Sequence, residues 1–198
     1  MEPARIVVGI TGATGVVYGV RLLQRLREAG VETHLVISRW GARTLLHETS
    51  YTREDVEALA TSVHPSTDMG AAIASGSFRT SGMVVAPCSA RTLAGIAHGF
   101  GEHLIHRAAD VTLKERRPLV LLVREAPLSA IHLENMLALA RMGAVILPPV
   151  PAFYHSPRTI DDLVDHTVAR VLDQFGIDHP ASRRWSGEMG MGAGTDAD

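Results

Sequence analysis

The sequence predicts an α/β fold, a parallel sheet with helices on both faces. Three observations carry this. Short continuous apolar runs recur along the chain, Arg5–Ile10, Met83–Pro87 and Pro118–Val123 among them. Stretches of helical spacing lie between them. Gly, Ser or Pro stands at most junctions. Continuous rather than alternating apolar strands are buried on both faces, which requires helices on either side of the sheet.

Taken in order, Arg5–Ile10 is the first strand and ends in a Gly-rich turn. Val16, Gly19, Val20, Leu23 and Leu26 then follow helical spacing as far as Gly30, a C-cap. Val31–Ser38 alternates weakly and reads as a second strand. Helices are expected near 39–48 and 53–62. Met83–Pro87 is the third strand, and Ser89 caps a helix running to about His98. Another helix covers about 101–116. Pro118–Val123 is the fourth strand, and 128–142 is a helix ending at Gly143. Ala144–Leu147 is the fifth strand, stopped by Pro148, Pro149 and Pro151. Ile160, Leu163, Val164, Thr167, Val168, Val171, Leu172 and Phe175 form an apolar stripe on the last helix. One domain is expected over 1–185, with no internal repeat or linker. The Gly-rich polar tail 186–198 is expected to be disordered.

Composition excludes several classes. Among 198 residues the net charge is −2 and no run of five like charges occurs, so the basic stripe of a nucleic-acid binder is missing. No apolar run approaches the roughly 20 residues that span a bilayer. The N-terminal MEPAR has neither a hydrophobic region nor a cleavage site, so a cytoplasmic protein is expected. Cys88 is the only cysteine, which excludes intrachain disulfides and cysteine zinc sites.

Ligands of parallel sheets bind beyond the carboxyl ends of the strands. The first such end reads GITGATG, whose glycines let backbone approach a ligand at a helix start. A phosphate fits there; so does a tight turn with no ligand. A nicotinamide dehydrogenase is disfavoured. Ile37-Ser38-Arg39-Trp40 offers no acidic residue for a ribose, and none of Tyr18, Tyr51 and Tyr154 has a lysine four residues on. The third strand end, APCSARTLAG, places Ser89 and Thr92 at a helix start, as ligand donors or as an ordinary N-cap. Cys88 reads as a small buried residue. Arg124-Glu125 emerges at the fourth strand end, as a surface ion pair or as a phosphate fork beside a carboxylate. Tyr154 lies in the proline-stiffened loop. Arg170 lies at the edge of the last apolar stripe, where snorkelling is the plainer role. Trp185 is a large apolar residue in a polar segment and reads as docking on something.

Together these strand ends resemble the UbiX-type flavin prenyltransferases from about Ile6 to Trp185. The motifs are GITGATGVVYGVRLL, ASGSF, GMVVAPCSARTLAGIAHG, RAADVTLKERRPLVLLVRE and GAVILPPVPAFYHSP. The resemblance implies a Rossmann-like, flavodoxin-like domain that binds reduced FMN without a metal. It implies transfer of a dimethylallyl group, from dimethylallyl phosphate, to flavin N5 and C6. The product would serve a UbiD-type decarboxylase, and the chain would form a homo-oligomer, up to a dodecamer, with sites between subunits. Flavin contacts carry over onto Gly12, Ala13, Thr14, Ser38, Ser89, Ala90, Arg91, Thr92 and Arg124. Prenyl-phosphate contacts carry over onto Tyr154, Arg170 and Lys114, with Trp185 covering the site. Glu48, Glu125, Thr14 and Lys114 match residues of the chemistry. Two departures stand out: Thr14 replaces the serine of the usual GASG loop, and Phe78 a common tryptophan. The competing functions are an FMN-dependent peptidyl-cysteine decarboxylase and a non-catalytic FMN-binding partner of a decarboxylase.

Overall fold

A computed structural model describes residues 4–178. It contains one six-stranded parallel sheet in the order β3-β2-β1-β4-β5-β6. The strands are β1 (Arg5–Ile10), β2 (Glu32–Ile37), β3 (Ser62–Val63), β4 (Gly82–Cys88), β5 (Leu119–Val123) and β6 (Val145–Ile146). The helices are α1 (Val16–Glu28), α2 (Arg39–Glu48), α3 (Arg53–Glu57), α4 (Ala90–Ala97), α5 (Leu104–Lys114), α6 (Ala130–Arg141) and α7 (Ile160–Asp173). The chain moves outward one way from β1 to β3, then restarts at β4 and moves outward the other way. That order is the Rossmann-like one, and it leaves a crevice between β1 and β4.

Period-two geometry splits the core in two. Ile6, Val8 and Ile10 of β1 face one layer, where α1 and α7 supply Leu22, Leu23, Leu26, Val168 and Leu172. Val7, Val85 and Leu121 face the other, packed by Leu93 of α4 and Leu104, Ile105 and Ala108 of α5. All residues of β4 and β5 are buried. Fully burying one such leucine or isoleucine side chain is worth about 1.5–3 kcal/mol. Hydroxyl caps start most helices: Ser38 for α2, Thr52 for α3, Ser89 for α4, Ser129 for α6 and Thr159 for α7. Each satisfies a backbone N–H that the helix leaves open.

The structure corrects the sequence reading at the edges. Six strands replace five. The expected helix over 53–62 ends at Glu57, and the chain turns so that Ser62 pairs with His34 of β2. Reciprocal hydrogen bonds pin this edge: the Thr33 N–H donates to Thr61 Oγ1, and the Thr61 N–H to Thr33 Oγ1, both at 3.1 Å. The helix expected from 101 begins at Leu104, whose N–H donates to the Ser66 carbonyl at 2.8 Å. β6 keeps only two residues, because the prolines behind it have no N–H to extend a ladder. No helix among the described residues is long and apolar enough to cross a membrane.

Candidate active site

The crevice between β1 and β4 is closed by one buried hydroxyl. Thr11, the first residue after β1, is 1% exposed. Its Oγ1 donates to the Pro87 carbonyl at 2.7 Å and accepts from the Ser89 N–H at 2.9 Å. The seam continues to β5, where the Arg124 N–H donates to the Cys88 carbonyl at 3.1 Å. Three strand ends are thereby locked side by side.

Helix starts converge above this seam. Ser38 Oγ accepts from the Gly41 N–H, and Ser89 Oγ accepts from the Thr92 N–H and lies 3.0 Å from Thr92 Oγ1. Each cap answers a later N–H, so those of Arg39, Trp40, Ala90 and Arg91 remain as first-turn donors, at the positive ends of their helices. Gly12 is a steric requirement, since a Cβ there would stand 2.4 Å from Trp40 Cβ. The cavity so formed holds about 460 Å³ and is lined by Thr11, Gly12, Ser38, Arg39, Trp40, Ser89, Arg91 and Thr92. Ser66, Thr67 and His103 close its far side. Ligand sites run from roughly 300 to 1,000 Å³, so a nucleotide-sized ligand fits, and its phosphate would meet N–H and hydroxyl donors.

Glu48 reaches the same region from the end of α2. Its Oε2 accepts from the Gly15 N–H at 2.8 Å and the Val16 N–H at 3.2 Å. Gly15, with φ 93°, holds the left-handed turn that aims these amides outward. A carboxylate is therefore fixed at the start of α1, one residue from Thr14. Thr14 itself is exposed.

Arg124, Glu125, Tyr154 and Arg170 form an exposed outer set, a rim that does not line the cavity itself. Arg124 and Glu125 are exposed beyond β5, the Glu125 carboxylate accepting from the Ala126 N–H at 3.2 Å. Arg91 projects to Glu102, at 2.8 Å. Tyr154 and Arg170 come together around His166: the Tyr154 hydroxyl lies 3.4 Å from His166 Nε2, and Arg170 follows one turn later on α7. Lys114 lies apart. It pairs with Glu115 at the far end of α5, about 15 Å along the helix axis from the first turn near the cavity. Burial pushes the Cys88 thiol up to about 12, so it stays protonated and is no nucleophile. No cluster of three or more His, Cys, Asp or Glu side chains able to hold a metal occurs among the described residues.

Residues 1–172 match the family model described as Flavoprotein. A probable UbiX-like flavin prenyltransferase of Bacillus subtilis is 60% identical over 92% of this chain and 90% of its own length. The chain belongs to the UbiX-like flavin prenyltransferases. Solved structures agree with this flavin prenyltransferase assignment. A dodecameric FMN-dependent UbiX-like decarboxylase from Escherichia coli O157:H7 is 60% identical, with a TM-score of 0.91 over 92% of this chain and all of that one. AnUbiX (PadA1), solved in complex with FMN and dimethylallyl pyrophosphate, is 54% identical, with a TM-score of 0.93 over 94% of this chain and all of that one. Membership makes the chain a transferase and sets aside both the cysteine decarboxylase and the non-catalytic partner.

Of the positions that the resemblance matches to flavin contacts, Gly12, Ser38, Ser89, Arg91 and Thr92 line this cavity, while Ala13 and Thr14 lie on the adjoining turn and Ala90 in the first turn of α4. Trp185 and the 186–198 tail lie outside the described residues. Sequence reading missed the Thr11 bridge, although Thr11 stands in the GITGATG motif. It also missed Ser66, Thr67 and His103 as walls of the cavity, and His166 beside Tyr154. Only Thr11 carried a local signal, a hydroxyl at a strand end.

Proposed function

We propose that this chain joins a dimethylallyl group from dimethylallyl phosphate to N5 and C6 of reduced FMN, giving prenylated FMN for a UbiD-type decarboxylase. The observation that carries the reading is the close likeness, over nearly the whole of both chains, to AnUbiX solved with FMN and a dimethylallyl donor. Gly12, Ala13, Thr14, Ser38, Ser89, Ala90, Arg91, Thr92 and Arg124 would hold the flavin. Bound reduced FMN supplies the electron-rich ring positions that accept the prenyl group. Tyr154, Arg170 and Lys114 act on the other substrate. Cleaving a carbon–oxygen bond to phosphate leaves growing negative charge on the leaving group, and fixed cationic and hydroxyl donors stabilise that charge as it develops. Glu48 and Glu125 are the carboxylates available to take the proton lost at C6.

Lys114 joins this site in a homo-oligomer, up to a dodecamer, where a neighbouring copy brings its own α5 end to the rim. The enzyme works without a metal, and in the cytoplasm. The test is anaerobic incubation with reduced FMN and dimethylallyl phosphate, followed by mass spectrometry of the extracted flavin. Gain of one dimethylallyl unit is expected. An unchanged flavin, under conditions where an active relative converts it, overturns the reading.

A further inference from the structure

His166 stands where the phosphate-facing groups meet, and neither sequence nor kinship assigned it a role. It lies on α7, four residues before Arg170, a spacing that puts both on one helix face. His155 stacks on its ring, with centroids 4.4 Å apart and planes at 17°. The Tyr154 ring meets both imidazoles edge-on. The Tyr154 hydroxyl is 3.4 Å from His166 Nε2, a long contact that can run in either direction.

Direction matters because a hydroxyl has one proton. A bare Nε2 accepts a hydrogen bond from that O–H, and Tyr154 then turns a lone pair toward the ligand. This polarity repels a phosphate oxygen. An Nε2–H donates to Tyr154 instead, and the hydroxyl proton is released toward the phosphate. Burial first, then His155 and Arg170, hold the His166 imidazole below its ordinary range, so it is neutral at neutral pH before ligand binds. A phosphate arriving beside it raises its proton affinity.

We propose that His166 is a positioning residue that sets the polarity of the Tyr154 hydroxyl, taking a proton from solvent as the phosphorylated donor binds. This rests on Tyr154 and Arg170 being the donor's phosphate contacts. The groups facing His166 among the described residues permit it. The loop brings Tyr154 and His155, and α7 itself brings Asp162, Arg170 and Asp173. Arg170 is bonded to Asp173 at 2.6 Å. Across the helix contact, α1 brings Tyr18, whose hydroxyl bonds Thr167, and Arg21 and Arg25, which are held by Asp161 and Asp165. Arg170, Arg21 and Arg25 are therefore each matched by an aspartate, and an added imidazolium charge answers the phosphate.

Two variants test this. His166→Gln keeps an N–H for Tyr154 but cannot titrate; His166→Ala keeps neither. With saturating reduced FMN, the KM for dimethylallyl phosphate should rise about threefold to tenfold in His166→Ala, the effect of one lost hydrogen bond. FMN affinity should not move. Between about pH 6 and pH 8, the wild-type KM should climb more steeply than that of His166→Gln; the donor's own ionisation is common to both. A readout without turnover is histidine-ring NMR. The His166 signal, identified by its loss in His166→Gln, should titrate at higher pH when dimethylallyl phosphate is added. Parallel pH profiles in wild type and His166→Gln, or an unmoved NMR titration, overturn the proposal while Tyr154→Phe still raises KM. If Tyr154→Phe and Arg170→Ala both leave the donor KM unchanged, the phosphate site falls, and the role of His166 with it.

Discussion

Thr11 at the β1–β4 seam and Tyr154 at the rim are both hydroxyl residues at strand-end positions, yet they are built in opposite ways. Thr11 is 1% exposed and bonds two strand ends through one oxygen. Tyr154 is 52% exposed, and its neighbours are other titratable side chains on one loop and one helix. The cradle is made by a single chain's backbone and caps, so it exists as soon as the sheet folds. The rim is made of long side chains, with Lys114 far from it in the same chain. A cradle variant should therefore disturb folding and flavin binding together. A variant at Tyr154 or Arg170 should disturb the donor alone.

The largest effect is expected where cradle and chemistry meet. Glu48→Gln keeps a carbonyl oxygen for the Gly15 and Val16 N–H groups, so the turn should survive. The exchange removes the charge and the proton-accepting power. Loss of a general base costs about 10²–10⁴ in rate. Single-turnover conversion of reduced FMN should slow by that amount, with FMN affinity changed by no more than a few-fold. A rate within tenfold of wild type would show that Glu48 only caps α1.

Thr11→Val comes next. It is nearly isosteric, but it strips the half-buried Ser89 N–H of its acceptor. Leaving such a group unmet costs about 1–3 kcal/mol. Urea unfolding should show a lower midpoint with an unchanged slope, and FMN affinity should fall as Ser89 shifts. Tyr154→Phe, at the exposed rim, should stay within about 0.5 kcal/mol of wild type. Equal destabilisation by both would erase the distinction between cradle and rim.

How far the sequence alone reached follows the same division. β1, β4 and β5 are buried on both sides, so their apolar runs are continuous and readable. Ser89 was readable as a hydroxyl preceding helical spacing, whereas Ser38 read as the end of the second strand and became a candidate only by resemblance. β3 was not, because two residues carry no period and its place is set by Thr33 and Thr61, 28 positions apart. Glu48 became a candidate only by resemblance. What puts it against Gly15 is the length of α2 folded back on α1, a contact across 33 positions that no local pattern encodes. His166 escaped for a similar reason: on α7 it is one more polar residue beside an apolar stripe, and its meaning comes from a loop that returns to meet it.

Thr14→Ser should have the smallest effect, and it sharpens the comparison from the cradle side. Thr14 lies on the GITGATG turn but, unlike Thr11, is exposed. Serine keeps the hydroxyl and removes only a methyl group. With no buried packing lost, stability should stay within about 0.5 kcal/mol. If the methyl merely faces the flavin edge, kcat/KM should change by less than about threefold, under about 0.7 kcal/mol of barrier. A larger gain would mean that the methyl crowds the bound flavin. A larger loss would mean that it holds the hydroxyl in the rotamer the reaction needs, since a β-branched side chain is stiffer at χ1 than serine. Either outcome would give this turn an active part in positioning the flavin, beyond supplying amides to it.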